Sequence, residues 1–142
     1  MGIGDRLKQT TISNNVKIRT IAKISTMANS LPNTTYREFL LWLLGKRKRL
    51  KIEGESMLPL LQPGDQILFA PDAYKKSKPQ VEDIIVALHP LQSNLTIVKR
   101  IKQSQCDRYF IVGDNLQSST DSRHWGKIGF ANIIGRVTSK FE

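Results

Sequence analysis

The sequence predicts a mainly β domain over residues 51–142, preceded by a basic extension over residues 1–50 that is partly helical or disordered. Two observations carry this. After residue 64, short apolar runs alternate with polar or Pro/Gly-bearing turns, the pattern of strands joined by tight connections. The net charge of +10 is also lopsided: residues 1–51 hold 11 Lys/Arg against 2 acids, while residues 52–142 hold 11 against 10. Basicity therefore belongs to the extension, and 142 residues suit one modest core plus an appendage. No repeat or low-complexity tract interrupts this division.

Within the extension, Val16-Lys17-Ile18-Arg19-Thr20-Ile21-Ala22-Lys23-Ile24 mixes apolar and basic residues. Ile21, Ile24, Met27 and Leu31 recur at helical spacing, although Val16 and Ile18 also fit a strand. Asn29, Ser30, Pro32, Asn33 and Thr34 read as a break. Tyr36 to Leu44 is expected to form a short helix capped by Thr34 or Thr35, followed by the basic run Lys46-Arg47-Lys48-Arg49. Phe39 to Leu44 is the longest apolar run before residue 54, well short of the roughly 20 residues that a membrane span requires.

Five strands are expected beyond it: Asp65–Phe69, Asp83–His89, Leu95–Lys102, Arg108–Gly113 and Asn132–Lys140. Gln103 to Asp107 reads as the hairpin loop between the third and fourth. Along the third strand, side-chain alternation places Leu95, Ile97, Lys99 and Ile101 on one face. Val98, Arg100 and Lys102 take the other, where both cations are expected to remain solvated.

Lys99 is thus flanked by isoleucines, and that placement has chemical meaning when set beside Ser56. A serine hydroxyl is a weak nucleophile that must lose its proton as it attacks, and a neutral lysine amine can accept it. Free lysine titrates near ~10.4, so holding an amine neutral near pH 7 costs roughly 4 kcal/mol, which apolar burial can supply. Ser56 lies on a turn, Gly54-Glu55-Ser56-Met57-Leu58-Pro59, ahead of the first predicted β strand of the domain. A third segment, Gly113-Asp114-Asn115-Leu116-Gln117-Ser118-Ser119-Thr120-Asp121-Ser122-Arg123-His124-Trp125-Gly126, follows an apolar strand. Its hydroxyls, Asp and Asn favour local side-chain-to-backbone bonds and a rigid loop able to hold partners near the lysine.

Together these segments resemble the S26 peptidases, the signal peptidase I family. The nucleophile box is matched by Ser56, Met57, Pro59, Gly64 and Asp65, and the Lys-Arg box by Lys99 and Arg100. The third box is matched by Gly113, Asp114, Asn115, Ser119, Asp121, Ser122 and Arg123. The resemblance implies a coiled β-sheet of the kind that signal peptidases share with LexA-type proteins. It also implies a serine endopeptidase in which Ser56 is acylated, Lys99 is the general base and Ser119 orients the lysine. Asp121 and Arg123 fall at its supporting ion pair, and Met57, with Leu58 and Pro59 beside it, at its substrate groove. Some members carry a serine two residues before the nucleophile that helps bind the oxyanion; here that position is Gly54. Small residues before the scissile bond are implied by the same likeness. Because no span precedes the nucleophile box, the chain is most similar within the family to the maturation proteases of nickel-type superoxide dismutase in bacteria such as cyanobacteria. Those remove an N-terminal extension from a precursor protein.

Other constellations carry less. Two histidines and one cysteine give no metal-ligand spacing, so neither metal nor cofactor is expected, and Cys106 is read as exposed in its loop. A Ser56–His124–Asp121 triad is conceivable from composition alone. His89 is read as a surface residue, and Trp125 and Phe130 as core or groove wall. A LexA-like self-cleaving regulator would require an Ala-Gly or Cys-Gly bond before Ser56, and the sequence has neither. For the extension, a solvated arm, weak attachment to an anionic membrane surface through Phe39, Trp42 and Leu43, and an organelle-targeting segment stay open. Specific nucleic-acid binding is not expected, since no recognition helix or aromatic platform accompanies the charge. A cytoplasmic location, peripheral to a membrane at most, is the corresponding expectation.

Overall fold

The computed structural model describes residues 30–141. The expected elements between Val16 and Met27 lie outside the described residues. A compact unit runs from Leu31 to Glu142, and the boundary expected near residue 50 falls inside one of its strands.

That unit begins with helix α1, Tyr36–Leu43, whose start is set by Thr35: its hydroxyl accepts from Glu38 N–H at 3.3 Å. Thr34, the other cap candidate, instead shares a 3.1 Å hydrogen bond with Ser139. Seven strands follow: β1 Lys48–Lys51, β2 Gln66–Ala70, β3 Ile84–Leu88, β4 Thr96–Gln105, β5 Arg108–Val112, β6 Ile128–Gly129 and β7 Ile133–Phe141. They form one sheet in the order β1-β2-β7-β3-β4-β5-β6, with every pair antiparallel. Register shifts at Leu68/Phe69, Val86/Ala87 and Ile101/Gln103 mark bulges, which bend and twist the strands that carry them. The mainly β class expected from the sequence is the class observed.

Each sheet face carries its own core. Ile67, Phe69, Ile84, Val86, Val98 and Val137 pack on one face together with Ile52, Met57 and Leu61 from the turn that bears Ser56. Ile85, Ala87, Ile101, Tyr109, Ile111 and Ile128 pack on the other, joined by Ile97 and Trp125. The alternation predicted for β4 is therefore real, with Val98 on one side and Ile97 and Ile101 on the opposite one.

Four details refine the sequence reading. Lys48 and Arg49, read as part of the basic run Lys46-Arg47-Lys48-Arg49 that follows the helix, belong to strand β1; it lies at the sheet edge, where lysines are at home because only one side is paired. The hairpin between β4 and β5 is a two-residue turn, since Cys106 and Asp107 take φ of 51° and 57°, the backbone that a tight hairpin demands. Phe130, read as core or groove wall, is exposed and lines a cavity with Tyr74 and Tyr109. Trp42, named in one of the open readings as a lipid contact, packs edge-on against Phe141 at 5.9 Å and lies beneath the Arg49 guanidinium.

Candidate active site

Ser56 is held on a turn fastened to both neighbouring backbones. Leu58 N–H donates to Glu55 O at 3.1 Å and Leu61 N–H to Met57 O at 2.9 Å, tightening the turn. Gly64 N–H donates to Ile52 O at 2.7 Å, closing its base, and the Asp65 carboxylate accepts from Gln62 N–H at 2.8 Å. Met57 and Leu61 sink into the first core and pin the turn from below. Ser56 itself stays half-buried at the rim.

Lys99 projects from β4 and is only 5% exposed. Its Nζ donates to Ser119 Oγ at 3.1 Å, and Ser119 Oγ donates in turn to Asp121 Oδ2 at 2.6 Å. With its proton committed to the carboxylate, the Ser119 hydroxyl presents a lone pair to the amine and fixes its direction. Burial, the dominant influence, pushes the Lys99 amine below the ordinary lysine range; the Asp121 carboxylate opposes this and Arg123 assists it.

Asp121 is completely buried, which alone would raise its pKa. Arg123 Nε at 2.8 Å, Ser119 Oγ and Gly113 N–H at 2.9 Å outweigh that cost and hold the carboxyl well below the ordinary range. Asp121 also caps the short helix α2, Ser122–Trp125, whose Ser122 hydroxyl accepts from Ile111 N–H at 2.9 Å. The loop is thus sewn to β5, as its hydroxyl-rich sequence suggested.

Ser56 and Lys99 line one cavity of about 480 Å³, together with Gly54, Met57, Leu50, Ile52, Leu95 and Ile97. Leu58 is half-buried and Pro59 exposed, and neither lines this cavity. Among the described residues no hydrogen bond joins Ser56 Oγ to Lys99 Nζ, whose partner is Ser119. Ser119, Asp121 and Arg123 form the layer behind the lysine.

The His124 triad fails on geometry. Its Nδ1 accepts from the Asp121 backbone N–H at 3.2 Å, so that nitrogen has no proton to give the carboxylate, and the ring is exposed. His89 is half-buried and stacks edge-on against Trp125. Cys106 is exposed, as expected.

Two features escaped sequence reasoning. Arg100, expected in solvent, is 5% exposed and holds Asp114 through two bonds of 2.8 and 2.9 Å, while Glu82 lies 3.5 Å away. A buried guanidinium needs such partners, and this pair locks the lysine strand to the root of the loop. The adjacency of Lys99-Arg100 to the later Gly113-Asp114 was visible, but nothing local said that they meet. The second is Gly113, buried where a Cβ would collide with Ser119 Oγ and lie 2.5 Å from Ser56 O. Only a residue without a side chain lets the Ser56 turn and Ser119 converge there.

Comparison with known proteins places this geometry in context. The sequence profile described as signal peptidase, peptidase S26, matches residues 39–103 and 102–141. The chain is 25% identical over 137 residues to thylakoidal processing peptidase 1, chloroplastic, of Arabidopsis thaliana, covering 63% of this chain and 40% of that protein. It is 30% identical over 109 residues to mitochondrial ATP-independent inner membrane protease subunit 1a of the same plant, covering 61% and 65%. Signal peptidase I of Leptolyngbya laminosa is 25% identical over 135 residues, covering 63% and 66%. The chain therefore spans between two fifths and about two thirds of the length of these curated relatives.

Proposed function

The chain belongs to the signal peptidase family, peptidase S26, and from that membership we propose that it is a serine endopeptidase with a Ser56–Lys99 dyad that trims a precursor protein. The observation that carries this reading is a buried amine sharing a cavity with a serine on a rigid turn. Neutral Lys99 takes the Ser56 proton as Oγ attacks the scissile carbonyl carbon. Lysinium then protonates the departing amine as the C–N bond breaks, leaving an ester on Ser56. A water activated by the regenerated amine hydrolyses that ester and restores the hydroxyl. Ser119 orients Lys99, and the Asp121–Arg123 pair fixes Ser119.

The cavity walls favour an extended peptide. β4 pairs with β5 only from Arg100 onward, and β1 is the outermost strand, so both walls keep backbone groups unpaired on this side. A substrate strand laid between them would satisfy those groups while its side chains alternate into the cavity.

The likeness through Ile52-Glu53-Gly54-Glu55-Ser56-Met57-Leu58-Pro59-Leu60-Leu61 and Ser119-Thr120-Asp121-Ser122-Arg123-His124-Trp125-Gly126 favours a nickel superoxide dismutase precursor as substrate over a general secretory leader. Incubating the full chain with each purified precursor and mapping products by intact mass decides it. A single cut that removes the short extension of the superoxide dismutase precursor is expected, with Ser56→Ala inert. Cleavage of the secretory leader alone would instead assign a general leader peptidase, and a cut within the enzyme itself a self-cleaving regulator.

The partner surface of α1 points to an anionic membrane. Among the described residues no helix is long and apolar enough to cross a bilayer. Tyr36, Leu40, Leu43 and Leu44 are nevertheless 77, 39, 60 and 71% exposed, at the spacing of a single helical stripe. Arg37, Lys46 and Lys48 flank it, and Glu38, the one acid between residues 31 and 52, is taken by Arg47 at 3.0 Å. Apolar contact plus phosphate attraction is the chemistry of an in-plane helix. Co-sedimentation with phosphatidylglycerol vesicles is expected to fall about ten-fold in L40S/L43S/L44S, which keeps every basic residue. Equal binding by that variant would place the attraction elsewhere.

A further inference from the structure

The direction of one amide controls how well this site can stabilise a developing oxyanion. Gly54, two residues before Ser56, has no hydroxyl to contribute, so the Ser56 backbone N–H carries more of the task. That N–H belongs to the Glu55–Ser56 peptide, whose planarity points it opposite to the Glu55 carbonyl. Whatever holds Glu55 O therefore aims Ser56 N–H.

Two donors hold it. Leu58 N–H reaches Glu55 O at 3.1 Å from within the turn, and Asn115 Nδ2 reaches it at 3.1 Å from the facing loop. Asn115 also donates its own backbone N–H to Ser56 O at 2.8 Å. One residue thus grips the carbonyls on both sides of the Ser56 Cα and limits rotation of both adjoining peptide planes. Its own position is stiff, because the preceding Asp114 is clamped by buried Arg100.

We propose that Asn115 is a positioning residue that aims the Ser56 N–H at the oxyanion, an inference that rests on the reading of Ser56 as the acylated nucleophile. It requires no contact with substrate. Its side-chain bond becomes consequential when charge appears on the carbonyl oxygen, since a misaimed donor loses strength in the transition state and not in the bound peptide. The backbone bond to Ser56 O does not involve the side chain and is kept in Asn115→Ala and Asn115→Asp, so these variants isolate the aiming bond.

The test uses the full chain with Asn115→Ala and the near-isosteric Asn115→Asp, which turns an acceptor toward Glu55 O. Both are expected to lower kcat roughly ten- to hundred-fold with KM unchanged, Asp more than Ala. Affinity for a peptide boronate with alanine before the boron, whose tetrahedral adduct mimics the charged state, is expected to fall by the same factor. Binding of a product-like peptide to the same variants should hold constant. Unchanged kcat and boronate affinity would overturn the proposal. So would a loss that merely follows a lowered Tm, or one expressed in KM, since a plain structural bond gives that pattern. If wild-type enzyme forms no boronate adduct at Ser56, the nucleophile reading falls and takes the proposal with it, a result distinct from normal wild-type labelling with unaffected variants.

Discussion

Lys99→Ala is expected to lower cleavage of a precursor peptide by about a thousand-fold or more, with Ser56→Ala as severe and the double variant no worse than either alone. Residues that act as one unit lose their joint contribution when either is removed, so their effects do not add. Intact folding must be shown beside it, and Lys99→Met is the suitable control because it keeps the stem in its apolar surroundings. The pH profile separates lysine from histidine chemistry. Burial holds the Lys99 amine below the ordinary lysine range, so kcat/KM should climb as pH rises through that depressed value and then level off. The stability consequence has a defined sign. The unfolded chain binds this proton more tightly, so stability is lost as pH falls through the folded-state pKa and is fully present only above the unfolded one. Lys99→Met should flatten that dependence. A profile that rises only near ~10.4, or near-full activity in Lys99→Ala, would remove lysine from the chemistry.

The acid side of the same network behaves in the opposite compartment of pH. Asp121 is held well below its ordinary range by Arg123, Ser119 and Gly113, so its stabilising share is present above the unfolded carboxylate pKa. It declines as pH falls toward the folded value. Asp121 therefore stays ionised across the whole range in which a depressed lysine titrates, and Lys99 and Asp121 do not titrate together.

Much of this was legible before any coordinates, for identifiable reasons. Lys99 lies in a strand whose period of two is strict through Ile101, so its face could be read from spacing alone. The Ser56 turn and the Ser119–Arg123 loop announced themselves by residue types that bond locally. What stayed hidden depends on contacts between distant segments. Arg100 looked solvated because alternation assigns a face without saying what covers it, and the cover is Asp114 at 2.8 Å. β1 was hidden because its residues bury little and take their order from a ladder to β2. Asn115 matched the third box but carried no role there, since its partners lie 59 and 60 positions away in the Ser56 turn.

Gly113→Ala is expected to damage activity by about a hundred-fold or more, out of proportion to any loss of stability. The added methyl would stand 2.5 Å from Ser56 O and closer still to Ser119 Oγ. Neither neighbour yields freely: Ser56 O is a backbone atom held by Asn115 N–H, and Ser119 is tied to Lys99 and Asp121. Overpacking of this kind costs about 1–3 kcal/mol where the surroundings can shift. Here the shift must drive apart the Ser56 turn and the Ser119 hydroxyl that holds the Lys99 amine. A displacement near 1 Å between reacting groups is worth about a hundred-fold in rate. Gly129→Ala is the matched control, because its Cβ would meet nothing nearer than 4.0 Å and its φ of −85° suits any residue. Paired Tm and kcat/KM measurements should show Gly129→Ala close to wild type in both. If Gly113→Ala also kept wild-type turnover, the convergence of Ser56, Ser119 and Lys99 around that glycine would have no bearing on catalysis.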